Sequence, residues 1–217
     1  MLSTQFSSHS HRGQRPRNED CVRWDRELGF AAVADGLGGH PAGHIASRVA
    51  VDISWAALCD VSERSTNTLS KALLRAHQAL LTLAATRPDY ARMATTIVAA
   101  LLNSTHIHIA HVGDSRLYRL RANRLQCLTV DHAFSAHRLT RALGMGESLQ
   151  IDTATYRREA EDIYLLCSDG LSGSVPDDRL AELLARDDAT DALLEASLKA
   201  GATDNISMIV AKPAFIY

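Results

Sequence analysis

The order of its elements places this sequence in the α+β class, in which strands neighbour strands and helices come in pairs. Apolar residues at helical spacing predict helices over 42–59 and 66–86, and again over 176–185 and 189–200. Runs of strands separate the two pairs, whereas a parallel sheet would alternate strands and helices singly. With 217 residues, 46% of them hydrophobic, the chain is long enough for one substantial core. We therefore expect a single domain over residues 1–217.

Short apolar or alternating stretches predict the strands. They lie at 21–24, 29–34, 95–102, 106–112, 117–120, 124–129, 150–157, 162–167 and 206–211. Residues 1–20 are polar, and residues 131–144 predict a short helical segment.

Composition excludes several classes of protein. The net charge of −2 gives no electrostatic reason to expect binding to nucleic acid or to an anionic membrane. No apolar stretch reaches membrane-spanning length, and the first residues lack the pattern of a signal peptide, so we expect a cytoplasmic protein. The four cysteines form no Cys-x-x-Cys pair, and none has an arginine six positions later. Reduced thiols are therefore expected, and a cysteine-dependent phosphatase loop is absent.

The central motif of the sequence is an aspartate that follows an apolar strand and precedes a group of glycines. Residues 30–34 form the apolar run, Asp35 follows it, and Gly36, Gly38 and Gly39 come next. Glycines allow a tight turn and close approach of the backbone to a ligand. The motif alone fits two interpretations, an ordinary strand-to-loop turn or a site for a hard cation or a phosphate.

Further acidic residues stand in similar positions. Asp114, Asp169 and Asp204 each lie at a strand boundary beside Gly, Ser or Asn, and Glu19 and Asp20 end a polar run that also contains Arg15 and Arg17. That run alone fits either a solvated loop or a site that combines metal ligands with phosphate recognition. If the strand ends converge, the carboxylates repel one another and need cations. Ligation by oxygen alone favours Mg²⁺ or Mn²⁺.

The motifs, taken in order, resemble the type 2C metal-dependent serine/threonine protein phosphatases, and most closely their compact bacterial members. The resemblance covers nearly the whole chain and rests on Arg15-x-x-Asn18-Glu19-Asp20, Asp35-Gly36-Leu37-Gly38-Gly39, Thr95-Thr96, Gly113-Asp114-Ser115-Arg116, Thr140-Arg141-Ala142-Leu143-Gly144, Ser168-Asp169-Gly170 and Asp204-Asn205. It implies a four-layer sandwich of two stacked antiparallel β-sheets flanked by helix pairs.

The resemblance also implies roles for individual residues and two Mn²⁺ or Mg²⁺ ions. The implied roles are Asp35 bridging both ions, Asp169 and Asp204 completing the shell of one ion, Glu19 and the Gly36 carbonyl holding the other, Asp20 ordering metal-bound water, Asn205 supporting the cluster, Arg15 gripping the substrate phosphate, and Asp114 with Asp169 forming a weaker third metal site.

The implied reaction is hydrolysis of phosphoserine or phosphothreonine by attack of a metal-bridging water or hydroxide. The implied partners are phosphorylated proteins and a bacterial-type Ser/Thr kinase that the enzyme opposes, and the implied state is a monomer. Two alternatives stay open: a phosphoprotein-binding pseudophosphatase without turnover, and a phosphomonoesterase that acts on small molecules.

Among the departures of the sequence from the family pattern, three bear on the chemistry of the site. Leu37 stands where many eukaryotic members carry a histidine proposed as general acid, and His40 is a candidate replacement by proximity. The interval between His132 and Thr140 is short where bacterial relatives have a longer mobile flap, which predicts a more open cleft. Gly173 replaces an acidic residue of some relatives, which predicts a weak third metal site.

Overall fold

The structure is a computed structural model that describes residues 3–37, 42–135 and 138–214. The motif residues Gly38, Gly39 and His40 lie outside the described residues.

Twelve strands and five α-helices make up the described chain. The strands are β1 (Ser3–His11), β2 (Asp20–Asp25), β3 (Phe30–Asp35), β4 (Ile97–Leu102), β5 (His106–Val112), β6 (Arg116–Arg121), β7 (Arg124–Cys127), β8 (Ala133–Ser135), β9 (Arg138–Leu139), β10 (Asp152–Arg157), β11 (Ile163–Cys167) and β12 (Ile206–Ala214). The helices are α1 (Gly43–Cys59), α2 (Thr66–Thr86), α3 (Asp169–Ser172), α4 (Asp177–Leu184) and α5 (Ala189–Lys199), and a 3₁₀ helix covers Pro88–Tyr90.

Ten of the strands form two five-stranded antiparallel sheets. One sheet, which we call sheet A, has the order β1-β12-β11-β6-β7, and the other, sheet B, has the order β10-β5-β4-β3-β2. The remaining strands, β8 and β9, pair with each other as a small separate hairpin. None of the helices in the described ranges is long and apolar enough to cross a bilayer.

The sheets stack face to face, and helices cover their outer faces. In β3, Ala31 and Val33 belong to the apolar cluster between the sheets, whereas Phe30, Ala32 and Ala34 pack against α1 and α2. Side chains of a strand point alternately to the two faces of its sheet, and here both faces are covered. Every position of this strand is therefore apolar until Asp35.

Sheet A is buried on both faces in the same way. Tyr164 and Leu166 of β11 face the other sheet, and Leu165 and Cys167 pack against α3, α4 and α5. The four-layer α+β sandwich that the resemblance implies is therefore confirmed.

One strand was not predicted, and one local prediction is wrong. The polar N-terminal stretch forms β1, an edge strand that pairs along its full length with β12 and places its single large apolar side chain, Phe6, between the sheets. The segment 131–144 contains the β8–β9 hairpin rather than a helix, since backbone pairing with neighbouring segments replaces local helical hydrogen bonds. Thr95, for example, pairs with Leu143 as an isolated bridge.

Candidate active site

The end of β3 and the start of β2 bring the first acidic residues together. The two strands are antiparallel, and their register places Asp20 directly opposite Asp35. The backbone of Asp35 is fixed by Thr96, whose Oγ1 accepts from the Asp35 amide at 3.0 Å and whose amide donates to the Asp35 carbonyl at 2.9 Å. Directly opposed carboxylates repel, so this register requires a compensating charge.

Gly36 is needed because the chain is crowded at this turn. Its amide donates to the Glu19 carbonyl at 3.1 Å. A Cβ at this position would lie 2.2 Å from the carbonyl oxygen of Gly43 and 2.8 Å from that of Glu19. The Glu19 side chain lies at the first turn of α1, where a Cβ on Gly43 would be 3.0 Å from Glu19 Oε1. Any larger residue would therefore push the turn away from α1.

Sheet A contributes the remaining carboxylates from two neighbouring strand ends. Asp169 follows β11 as the first residue of α3, and Asp204 precedes β12. The two sheets are joined here by a hydrogen bond, because Ser168 Oγ donates to Asp20 Oδ2 at 2.8 Å. Asp204 Oδ2 also accepts from Arg15 Nη2 at 2.7 Å.

Asn205 connects the acidic loop of sheet A to the N-terminal loop. Its Oδ1 accepts from the Glu19 amide at 2.8 Å, and its Nδ2 donates to the carbonyls of Arg12 and Arg17 at 2.8 and 3.0 Å. A Cβ on Gly170 would lie 1.9 Å from the Asn205 carbonyl oxygen. The side chain of Asn205 therefore holds residues 12–19 against the loop that contains Asp204. No residue larger than glycine fits at position 170 beside it.

The carboxylates raise one another's pKa. Burial is the largest cause at Asp20, and together with the charge of Asp169 it raises the pKa of Asp20 to about 7. The pKa of Asp35 is also well above its ordinary value, through burial and then the charges of Asp20, Asp169 and Asp204. Burial and Asp169 raise the pKa of Asp114 to about 6. The negative charge of these carboxylates is therefore not neutralised by the cationic side chains around them.

Two adjoining cavities meet at the carboxylates. The larger, about 660 Å³, extends past Phe134 and Gly173, and the smaller, about 360 Å³, is lined by Arg15, Leu37 and Arg138 among others. Both cavities are lined by Asp114, Asp169 and Asp204. A ligand in either cavity therefore reaches the same acidic cluster.

The structure brings the predicted site residues to one place. The cavities are lined by Arg15, Asp35, Asp114, Asp169 and Asp204. Strand pairing and hydrogen bonds join four further residues to this group, namely Glu19, Asp20, Gly36 and Asn205.

Some side chains near the site were not predicted to belong to it. His44 in the first turn of α1 is one of them, and its Nδ1 lies 3.1 Å from Arg17 Nη1. Arg138 was not predicted as a site residue, because it reaches the smaller cavity only through the β8–β9 pair. The role of Ser168 was not predicted either, although this residue stands inside the Ser168-Asp169-Gly170 motif and could have been found there.

The comparison of sequences identifies the family. The profile of one family, described as Protein phosphatase 2C, matches residues 7–209. The serine/threonine protein phosphatase PstP of Mycobacterium tuberculosis is 34% identical over 236 residues, which cover 97% of this chain and 45% of that protein. The serine/threonine phosphatase stp of Listeria welshimeri serovar 6b is 32% identical over 207 residues, 82% of each chain. The chain belongs to the protein phosphatase 2C family.

The comparison of structures agrees. The crystal structure of the catalytic domain of PstP in complex with two manganese ions superposes with a TM-score of 0.91 at 31% identity, covering 99% of this chain and 100% of that one. PppA of Pseudomonas aeruginosa superposes with a TM-score of 0.89 at 31% identity over 98% of both chains. This chain spans a little under half the length of the curated PstP protein, 45%.

Proposed function

We propose that this chain is a metal-dependent serine/threonine protein phosphatase that hydrolyses phosphoserine and phosphothreonine in proteins. The observation that carries the proposal is the convergence of Asp20 and Asp35 from one sheet with Asp169 and Asp204 from the other, beside the guanidinium of Arg15. The matched relatives are serine/threonine phosphatases, which supports the same activity here.

The residues fit divalent cations. Asp20 Oδ1 is buried and has no hydrogen-bond partner among the described residues, and the raised pKa of Asp35 reflects uncompensated negative charge. Carboxylate and carbonyl oxygens suit Mn²⁺ or Mg²⁺, and PstP was solved with two manganese ions. We assign the two-ion site to Asp35, Asp169, Asp204, Glu19 and the Gly36 carbonyl, with Asp114 and Asp169 as a weaker third site. When bound, the ions lower the pKa of water and neutralise charge on phosphoryl oxygens.

Arg15 is the group that would bind the substrate phosphate. Its guanidinium lines the smaller cavity and donates to Asp204, whose hydrogen bond and charge raise the pKa of Arg15. A planar guanidinium can contact two phosphate oxygens at once. Arg15 therefore exchanges a carboxylate partner for the substrate phosphate, and the contact with Asp204 keeps it directed at the cluster beforehand.

Asp20 would orient water and accept its proton. Its Oδ2 is held by Ser168, and its other oxygen is buried at the cluster. In the metal-free chain burial and the charge of Asp169 raise the pKa of Asp20 to about 7, and bound cations would lower this pKa and keep Asp20 ionised as an acceptor. Leu37 lines the smaller cavity and has no proton to give to the leaving group, so that proton comes from another source.

We also propose a cellular setting for this activity. Residues 1–217 would act as one monomeric catalytic domain in the cytoplasm, opposing a Ser/Thr kinase. The four cysteines, Cys21, Cys59, Cys127 and Cys167, are all free thiols, as expected in a reducing compartment. The acidic cluster disfavours binding to nucleic acid, because phosphodiester backbones require basic surfaces.

Phosphate release from a phosphothreonine peptide tests the proposal. We expect turnover with Mn²⁺ that EDTA abolishes. Asp35→Ala should reduce it by about 100-fold or more, because the two-ion site loses the carboxylate of Asp35. Asp52→Ala is the matched control, since this aspartate is half-exposed on α1 and pairs with Arg23. A silent wild-type protein that still binds the peptide would show a pseudophosphatase. Turnover of p-nitrophenyl phosphate but of no phosphopeptide would show a small-molecule phosphomonoesterase.

A further inference from the structure

Behind the cleft, three side chains from different segments form a buried cluster. They are His111 at the end of β5, His132 before the β8–β9 hairpin and Asp152 at the start of β10, and their potential ligand atoms lie within 4.8 Å of one another. The two imidazole rings stack with centroids 4.7 Å apart. His132 Nε2 is 3.2 Å from Asp152 Oδ2. Such a cluster is either a metal site or a hydrogen-bonded support.

The hydrogen bonds of His132 decide between these two. The Gly113 amide donates to His132 Nδ1 at 3.1 Å, so that nitrogen carries a lone pair and the proton of the neutral ring is on Nε2. The protonated Nε2 faces Asp152 Oδ2 in an electrostatic contact that is not aligned as a hydrogen bond, and it offers no lone pair to a metal. The negative charge of Asp152 is already paired with a positive one, because Arg141 Nη1 lies 2.7 Å from Asp152 Oδ1. The cluster is therefore a support.

What His132 supports is the peptide unit that precedes Asp114. The His132 amide donates to the Gly113 carbonyl at 2.9 Å, so one residue satisfies both backbone groups of Gly113. Gly113 has a φ of +105°, and a Cβ there would lie 2.6 Å from Thr96 Cβ. The backbone direction that sends Asp114 into the cleft thus depends on a glycine held in this conformation by His132.

The other side of Asp114 is held by the neighbour of His132. Arg116 donates to both carboxylate oxygens of Asp131, from Nε at 3.0 Å and from Nη2 at 2.7 Å. Asp131 and His132 therefore hold the residues on either side of Asp114. In addition, the His132 carbonyl accepts from the Thr140 amide at 2.8 Å, which closes the base of the β8–β9 hairpin.

We propose that His132, oriented by Asp152 and Arg141, is a positioning residue that holds Asp114 in the cleft and joins it to the β8–β9 hairpin. The inference rests on the proposed function in one respect, which is that Asp114 binds a cation. His132 touches neither substrate nor cation and acts through the Gly113–Asp114 backbone.

A double-mutant cycle between His132 and Asp114 tests this role. We expect His132→Ala to lower kcat/KM for a phosphothreonine peptide about 10-fold, as removal of a supporting residue behind a metal ligand does. In an Asp114→Ala background the same change should have less than about a twofold effect, because the side chain it positions is gone. An equal loss in both backgrounds, or no loss in the wild-type background, would overturn the proposal.

Two further variants separate positioning from general stability. His132→Asn retains an acceptor for the Gly113 amide, so we expect it to recover most of the activity lost in His132→Ala. Asp152→Asn should lower activity in the same direction, and only when Asp114 is present. These two variants decide the question if His132→Ala does not fold. An Asn variant as inactive as the folded Ala variant would contradict the role of Nδ1.

Calorimetric titration with Mn²⁺ gives a readout that does not depend on turnover. We expect His132→Ala to weaken the same low-affinity site that Asp114→Ala removes, and to leave the two tighter sites unchanged. Equal weakening of all sites would indicate a general structural defect and overturn the proposal. If the wild-type protein binds Mn²⁺ but releases no phosphate, the proposed function fails, while this titration still tests the positioning role.

Discussion

Replacing Asp20 with asparagine should stabilise the metal-free protein while it impairs catalysis. Asp20 opposes Asp35 across the β2–β3 pair, and burial raises its pKa to about 7 against an ordinary value of 3.8. Between these two values the folded chain binds the Asp20 proton more tightly than the unfolded chain does. The contribution of Asp20 to the free energy of unfolding therefore falls as the pH rises through this range and levels off above pH 7.

The expected magnitude follows from the difference between the two pKa values. A pKa of about 7 instead of 3.8 costs the folded state about 4 kcal/mol at pH 8 and about 2 kcal/mol at pH 5. Asparagine keeps an oxygen that accepts from Ser168 and cannot ionise. In EDTA at pH 8, Asp20→Asn should thus be about 4 kcal/mol more stable than wild type, or about 10 °C in Tm.

Urea unfolding in EDTA at pH 5 and pH 8 measures this effect. The gap between variant and wild type should widen by about 2 kcal/mol from the lower to the higher pH, whatever constant packing change the amide brings. Asp60→Asn, at an exposed aspartate that ends α1, is the control and should stay within about 0.5 kcal/mol at both values. A gap that does not change with pH would refute the account of the acidic cluster.

Three other perturbations have defined outcomes. Gly36→Ala should lower the free energy of unfolding by about 2 kcal/mol in urea titrations, because its Cβ would overlap the carbonyl oxygen of Gly43. Arg121→Met should cost about 3 kcal/mol in the same assay and raise the pKa of Asp162, since this buried carboxylate would lose its two guanidinium contacts of 2.6 and 2.7 Å. Arg138→Ala should raise KM for phosphopeptides severalfold with little change in kcat, because its exposed cation lines the smaller cavity outside the acidic cluster; an unchanged KM would contradict this.

The fold was predictable where one apolar pattern serves one strand or helix. Helix α2 begins and ends at the predicted residues because its apolar face repeats at helical spacing and Pro88 follows it. Strand β1 was not predictable, because its stability comes from pairing with β12, about 200 residues further along the chain. The β8–β9 hairpin was not predictable either, since β9 has two residues and so short a strand carries no periodicity of its own.

The candidate site divides in a similar way. Aspartates at the ends of apolar strands were visible in the sequence, because a carboxylate beside glycine at a strand boundary is a local pattern. Their convergence needed the family resemblance, since no local rule states that β3 and β11 lie in facing sheets. His132 was part of a recognised segment, but its two hydrogen bonds with Gly113 depend on the path of the chain between them.

The division of the acidic cluster between the two sheets has a consequence for how the protein comes to work. Asp20 and Asp35 belong to sheet B, whereas Asp169 and Asp204 extend from sheet A, and Ser168 and Asn205 bridge the two. Neither sheet alone contains a complete set of ligands. A cation held by Asp35 of one sheet and by Asp169 and Asp204 of the other, as we propose, would fasten the two halves of the sandwich. A chain then acquires its reactive centre only when the two sheets have packed in the correct alignment.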